Sequence, residues 1–159
     1  MQKDAVKESS PEKGEGRKLL HELEAMGKYV FHGSPVSDIN ELEVRQAYNW
    51  MDKVRKEHGA PSVVATPYAD IAIFRSLVHR DSTGFGVADG QPHFEASKQA
   101  LDAAKRSVGY VYVLAREDFA PMKGDISEMD WRSQKPQKPV RMVKVAFGDL
   151  PENIDPIHE

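Results

Sequence analysis

The step His32-Gly33-Ser34, closing the apolar run Tyr29-Val30-Phe31, holds the first residues able to do chemistry. An apolar run that ends in His-Gly reads as a strand delivering an imidazole to an edge or crevice. A residue without a Cβ then lets a ligand reach the backbone. Far downstream, Ser127-Glu128-Met129-Asp130-Trp131 carries two carboxylates. If that stretch is extended, Glu128 and Asp130 face the same way, because side chains alternate along a strand. Arg45 follows the first loop, where a guanidinium can hold a pyrophosphate bidentately. The segment 132–144 contributes Arg132, Lys135, Lys138, Arg141 and Lys144 without an acid. Such a set either contacts the phosphate of a nucleotide or nucleic acid, or forms a solvated face whose lysines deter pairing at a strand edge.

Each of these residues also has a plain structural reading. His32 is equally a histidine packed at a strand end with one backbone hydrogen bond, Arg45 a surface residue, and the acids beside Trp131 solvated turn carboxylates.

Several chemistries are excluded. The chain has no cysteine, which removes disulfides, thiolate catalysis and the usual structural zinc sites. The histidines at 21, 32, 58, 79, 93 and 158 show no metal-ligand spacing. Gly84-Phe85-Gly86 with Gly90 lacks the lysine-hydroxyl ending of a phosphate loop, and no Gly-x-Ser-x-Gly elbow is present. A net charge of −3 argues against duplex nucleic acid or an anionic membrane as a bulk electrostatic partner. The polar N-terminus lacks the apolar core of a secretory signal, and no run approaches the ~20 apolar residues that span a bilayer. The expectation is a soluble cytoplasmic protein.

The elements that must position these residues follow from periodicity. Residues 1–16 lack aliphatic density and read as a flexible tail, leaving 17–159 as a single domain. Leu19, Leu20, Leu23 and Met26 share one face of a helix that Gly27 stops. A first strand over roughly 28–32 follows, then a loop from Pro35 to Leu42. Glu43–His58 is expected to be helical, with Val44, Ala47, Trp50, Met51 and Val54 as its apolar stripe. Ser62–Ala65 is a short strand, and Thr66-Pro67 supplies an N-cap hydroxyl and a first-turn proline for a helix lined by Ile71, Phe74 and Val78. Residues 84–90 form a loop or ragged strand pair, and Ser97–Ser107 a helix. Gly109–Leu114 and Pro139–Val145 are strands. Short strands among helices without regular βαβ alternation give an α+β class.

Three segments together resemble the ADP-ribosyltransferase fold of the poly-ADP-ribose polymerase and diphtheria-toxin type, over about residues 28–147. His32-Gly33-Ser34 matches that family's strand-end motif. Val63-Val64-Ala65 followed by Phe74 matches the spacing of its second strand and helix aromatic, and Glu128 or Asp130 stands for its late acid. The resemblance implies two small antiparallel-type sheets around a cleft with flanking helices. It also implies NAD as substrate, cleaved at the nicotinamide–ribose bond, with ADP-ribose passed to a protein or nucleic-acid acceptor or to water. The oxocarbenium-like transition state of that cleavage needs a fixed carboxylate nearby.

By the same resemblance His32 bonds a ribose, Gly33 grips the nicotinamide amide through its backbone, and Ser34 adds a hydroxyl. Phe74 stacks on nicotinamide and Glu128, ahead of Asp130, stabilises the cation. The alternative for Phe74 is a core position beside Ile71 and Val78. The sequence departs from the family at Val63, where the family carries tyrosine and a valine cannot give the second face of an aromatic sandwich. Tyr68 can replace it in part, or stand as a half-exposed first-turn residue. A non-catalytic nucleotide- or protein-binding module on the same fold is the alternative function. An RNA 2′-phosphotransferase-like enzyme ranks behind it, because that branch's arginine-rich site is not evident.

Overall fold

The run richest in aromatic and β-branched residues becomes the middle strand of a sheet, where both neighbours and both faces reward such side chains. The computed structural model describes residues 14–46, 48–51, 54–57, 61–78, 83–122 and 129–157. In chain order the elements are helix α1 (Glu15–Ala25), strands β1 (Tyr29–Ser34), β2 (Tyr48–Met51), β3 (Val54–Glu57) and β4 (Val63–Ala65), and helix α2 (Ala69–Leu77). Strands β5 (Thr83–Ala88) and β6 (Gln91–Ser97) precede helix α3 (Lys98–Ala104). Strands β7 (Val108–Ala115), β8 (Ala120–Pro121), β9 (Trp131–Ser133), β10 (Arg141–Ala146) and β11 (Ile154–Ile157) complete the order.

The class is α+β. The expected two sheets are corrected to three three-stranded sheets, ordered β1-β7-β10, β11-β6-β5 and β4-β9-β8, with a separate β2-β3 ribbon. Among the described pairs only β6 and β11 run parallel.

The β1-β7-β10 sheet separates two apolar clusters. Phe31, Val111, Val113 and Val145 join the larger one with α1 and α2, while Val30, Tyr112 and Leu114 join the smaller one with Leu42, Val63, Ala65 and Phe119. The antiparallel register pairs Val30 with Leu114, His32 with Tyr112 and Ser34 with Tyr110. Strand alternation therefore puts His32 and Ser34 on the smaller-cluster face and Gly33 on the helix face.

Three local expectations are corrected. Residues within the expected helix 43–58 form the β2-β3 ribbon, pairing Tyr48 with Glu57 and Met51 with Val54. A helical stripe can be drawn through this segment, but Tyr48, Trp50 and Val54, as aromatic and β-branched types, tip the balance to strand. Helix α2 starts at Ala69 rather than at Pro67. Thr66 is still extended, exchanging both backbone hydrogen bonds with Phe31 at 2.7 and 2.9 Å. Its hydroxyl accepts from Tyr68 N, and Glu24 Oε1 of α1 accepts from Ala69 N at 2.9 Å, capping α2 from a neighbouring helix. Residues 83–97 form a regular hairpin through Asp89 and Gly90, both at positive φ, as a two-residue turn requires.

Candidate functional site

His32 reaches the end of β1 with its ring only partly covered. Its Nδ1 lies 2.9 Å from the carbonyl oxygen of Val64 on β4. A carbonyl can only accept, so Nδ1 carries a proton and the neutral ring keeps its lone pair on Nε2. Burial pushes the imidazole below its ordinary pKa of 6.5; the bond to Val64 opposes that, and the Arg75 and Arg45 guanidiniums push it lower again. The result is a neutral ring near pH 7 whose free nitrogen accepts a hydrogen bond.

That ring lines a hollow of about 460 Å³ together with Ser34, Glu41, Glu43, Arg45 and Ser62 among others. Its wall is built by the segment that follows β1. Tyr112 Oη donates to the carbonyl of Val36 at 2.6 Å and accepts from Ile39 N at 3.3 Å, pinning residues 36–39 against the sheet. Farther along, Leu42 exchanges backbone bonds with Gln137, and Arg45 exchanges them with Ser62 at 2.9 and 3.0 Å. Ser34 Oγ accepts from Val36 N at 3.0 Å, so this hydroxyl also shapes the turn. The volume lies within the ~300–1,000 Å³ typical of small-molecule sites.

The structure thus brings together His32, Ser34 and Arg45, with Val63 on the same wall. It places the other expected residues elsewhere. Gly33 faces α2: a Cβ there would overlap the Ala72 carbonyl oxygen, and one at Gly109 the Ser76 hydroxyl. The missing side chain at 33 therefore answers the close approach of a helix, which corrects the reading that it opens the backbone to a ligand. Phe74 is 1% exposed and packs against Phe94 at 4.9 Å and Phe85 at 6.0 Å between ring centroids, in the core and off the hollow's wall. Tyr68 stands at the α2 N-cap, packed against the larger cluster.

Asp130 does not line the hollow either. Its carboxylate accepts from Arg75 Nη2 at 3.0 Å, and that guanidinium also lies 4.6 Å over the Phe85 ring. Asp130 precedes β9, whose Trp131 pairs with Ala65, so it comes to the level of Thr66, two strands from β1. The Arg75 guanidinium that it pairs with is one of the cations that push the His32 imidazole pKa down. Glu128 lies outside the described residues.

Sequence reasoning missed Glu41, Glu43 and Ser62 on the wall and Arg75 behind it. Arg75 carried a usable signal, as a cation directly after the apolar run Ile71–Phe74. The others carried none, because only tertiary pairing brings residues 41–45 beside 62–64. Among the described residues, no group of three or more His, Asp or Glu could hold a metal ion, and no helix is long and apolar enough to cross a membrane.

A larger hollow, about 680 Å³, lies on the helix side among Arg17, Lys18, His21, Leu101, Phe147 and Glu152 and contains none of the expected site residues. Comparison with protein-family models, with curated proteins and with solved structures gives no match.

Proposed function

We propose that this chain is an ADP-ribosyltransferase-like protein that binds NAD in the hollow beside His32. The carrying observation is the fixed tautomer of His32: with Nδ1 held by Val64, Nε2 is left to accept a ribose hydroxyl. Arg45, on the same wall, supplies the cation for a pyrophosphate, and Ser34 a second hydroxyl. In the active form of this reading, ADP-ribose passes to a protein or nucleic-acid acceptor, or to water, with loss of nicotinamide.

A second reading drops the chemistry and keeps the binding, and two observations favour it. Asp130 is neutralised by Arg75, and Val63, 3% exposed, offers no ring for nicotinamide to stack on. A transition state with developing positive charge gains little from a carboxylate already paired to a guanidinium. The two readings separate in one experiment. Thermal melting with increasing NAD should raise the midpoint under both, since a ligand that binds only the folded state stabilises it. Release of nicotinamide over hours marks the enzyme, and binding without release marks the module. No shift at saturating NAD overturns both.

A further inference from the structure

We propose that Ser62 is a ligand-binding residue of this hollow, its hydroxyl donating to a phosphate oxygen that the Arg45 guanidinium also holds. The inference rests on reading the hollow as a nucleotide site, and it adds a residue and a subsite to that reading.

Ser62 stands apart from the other buried hydroxyls. Among the described residues these are Tyr112 Oη, bonded to Val36 and Ile39, and the hydroxyls of Ser34, Ser62, Thr66, Ser76, Ser97 and Ser133. Ser34 accepts from Val36 N, Thr66 from Tyr68 N and Ser97 from Ala100 N, while Ser76 donates to Ile73 O and Ser133 bonds the Gln137 amide. Ser62 is only 4% exposed, yet its Oγ has no protein partner. A buried polar atom without a partner is uncommon and destabilising, so its retention calls for a cause.

Its setting gives one. Both backbone hydrogen bonds between Ser62 and Arg45 set these two residues side by side on the hollow's wall. Glu41 and Glu43 also line the hollow, so a ligand's anionic part is favoured only close to the Arg45 guanidinium. A phosphate there accepts from two donors on paired backbone segments, and His32 takes a neighbouring sugar hydroxyl. Serine reorients by rotation about one bond, so the hydroxyl turns toward a ligand without moving the backbone.

The test uses the full chain and three probes: NAD, ADP-ribose and ribose 5-phosphate. Affinities are measured by calorimetry for the wild type and for Ser62→Ala, with thermal melting of both proteins alone. Ser97→Ala serves as the control for loss of a partnered hydroxyl. The expected result is roughly tenfold weaker binding of the phosphorylated probes to Ser62→Ala. Its melting midpoint without ligand should be unchanged or higher, in contrast to the lower midpoint of Ser97→Ala. Equal affinity of wild type and variant for NAD overturns this inference and leaves the NAD reading standing. Ser62-dependent binding of ribose 5-phosphate without any binding of NAD upholds the inference and removes that reading. Binding of none of the probes to the wild type overturns both. A midpoint for Ser62→Ala as low as that of Ser97→Ala overturns the inference too, because the hydroxyl is then already satisfied, by a buried water.

Discussion

On the helix side of the β1-β7-β10 sheet, charged groups satisfy one another. Arg17 donates to both oxygens of Asp70 at 2.9 and 3.0 Å, His21 Nε2 lies 2.8 Å from the same carboxylate, and buried Asp149 accepts from Arg17 N and Ala146 N. On the opposite side, around the smaller hollow, the imidazole keeps a free nitrogen and a buried hydroxyl has no protein partner. Size alone would have favoured the helix side, whose hollow is larger. The difference teaches that what a hollow can offer a ligand is set by its unsatisfied polar groups rather than by its volume. A saturated network stabilises a fold, and an unsaturated one has something left to offer a ligand.

Four measurements break or sharpen this contrast. The largest effect belongs to Gly33→Ala, which drives a methyl group into the Ala72 carbonyl and should destabilise the protein by about 3 kcal/mol in chemical denaturation. A variant as stable as the wild type would show that α2 does not rest on that glycine. Next is Asp70→Asn, which leaves Arg17 without its partner and should cost about 2 kcal/mol. Burial alone would raise the Asp70 pKa, but hydrogen bonds from Arg17 and His21 prevail and hold it below its ordinary 3.8. The unfolded chain then takes up this proton first. The stability Asp70 contributes is therefore full above pH ~4 and drains as pH falls through the folded value. Asp70→Asn should lack that part of the acid transition, and an unchanged acid profile would mean the network is idle.

His32→Ala should reverse the pattern, with stability altered by less than about 1 kcal/mol and NAD affinity reduced roughly tenfold. Because burial holds the folded imidazole below its ordinary 6.5, its neutral form and the binding that needs it should persist below that pH and decline only as pH falls through the folded value. Affinity rising in that range would mean that the charged ring, not its lone pair, holds the ligand. The smallest effect is that of Arg45→Gln, about threefold in affinity at moderate salt and less at high salt, as for an exposed cation. A loss independent of salt would point to a structural role through the Ser62 pairing.

Elements with one dominant period were legible from residues alone. The stripe Leu19, Leu20, Leu23 gave α1, and the aromatic and β-branched run at 110–114 gave the centre of the sheet. The ribbon at 48–57 was not, since a helical stripe could also be drawn through its apolar residues and hid the strand preference of the aromatic and β-branched types at 48, 50 and 54. The Asp89-Gly90 turn was a usable signal that a glycine-rich composition obscured. Along the hollow's wall, His32 was legible because a strand-end histidine marks itself. Phe74 shows the limit of spacing, since its place in a helix was right and its place among Phe85 and Phe94 depends on strands that come later in the chain. Ser62 left no trace because a missing partner is a property of three dimensions.

The alternation of His32 and Gly33 also governs how β1 is held in place. Shifting this strand by a single position against β7 would turn the imidazole under α2 and leave a bare backbone facing the hollow. Helix docking and ring presentation would fail in the same slip, so neither can be retuned by sliding the strand. Variation near this histidine is thereby confined to exchanges of side chain, and an inserted or deleted residue between Tyr29 and Ser34 would cost the molecule its core and its site together.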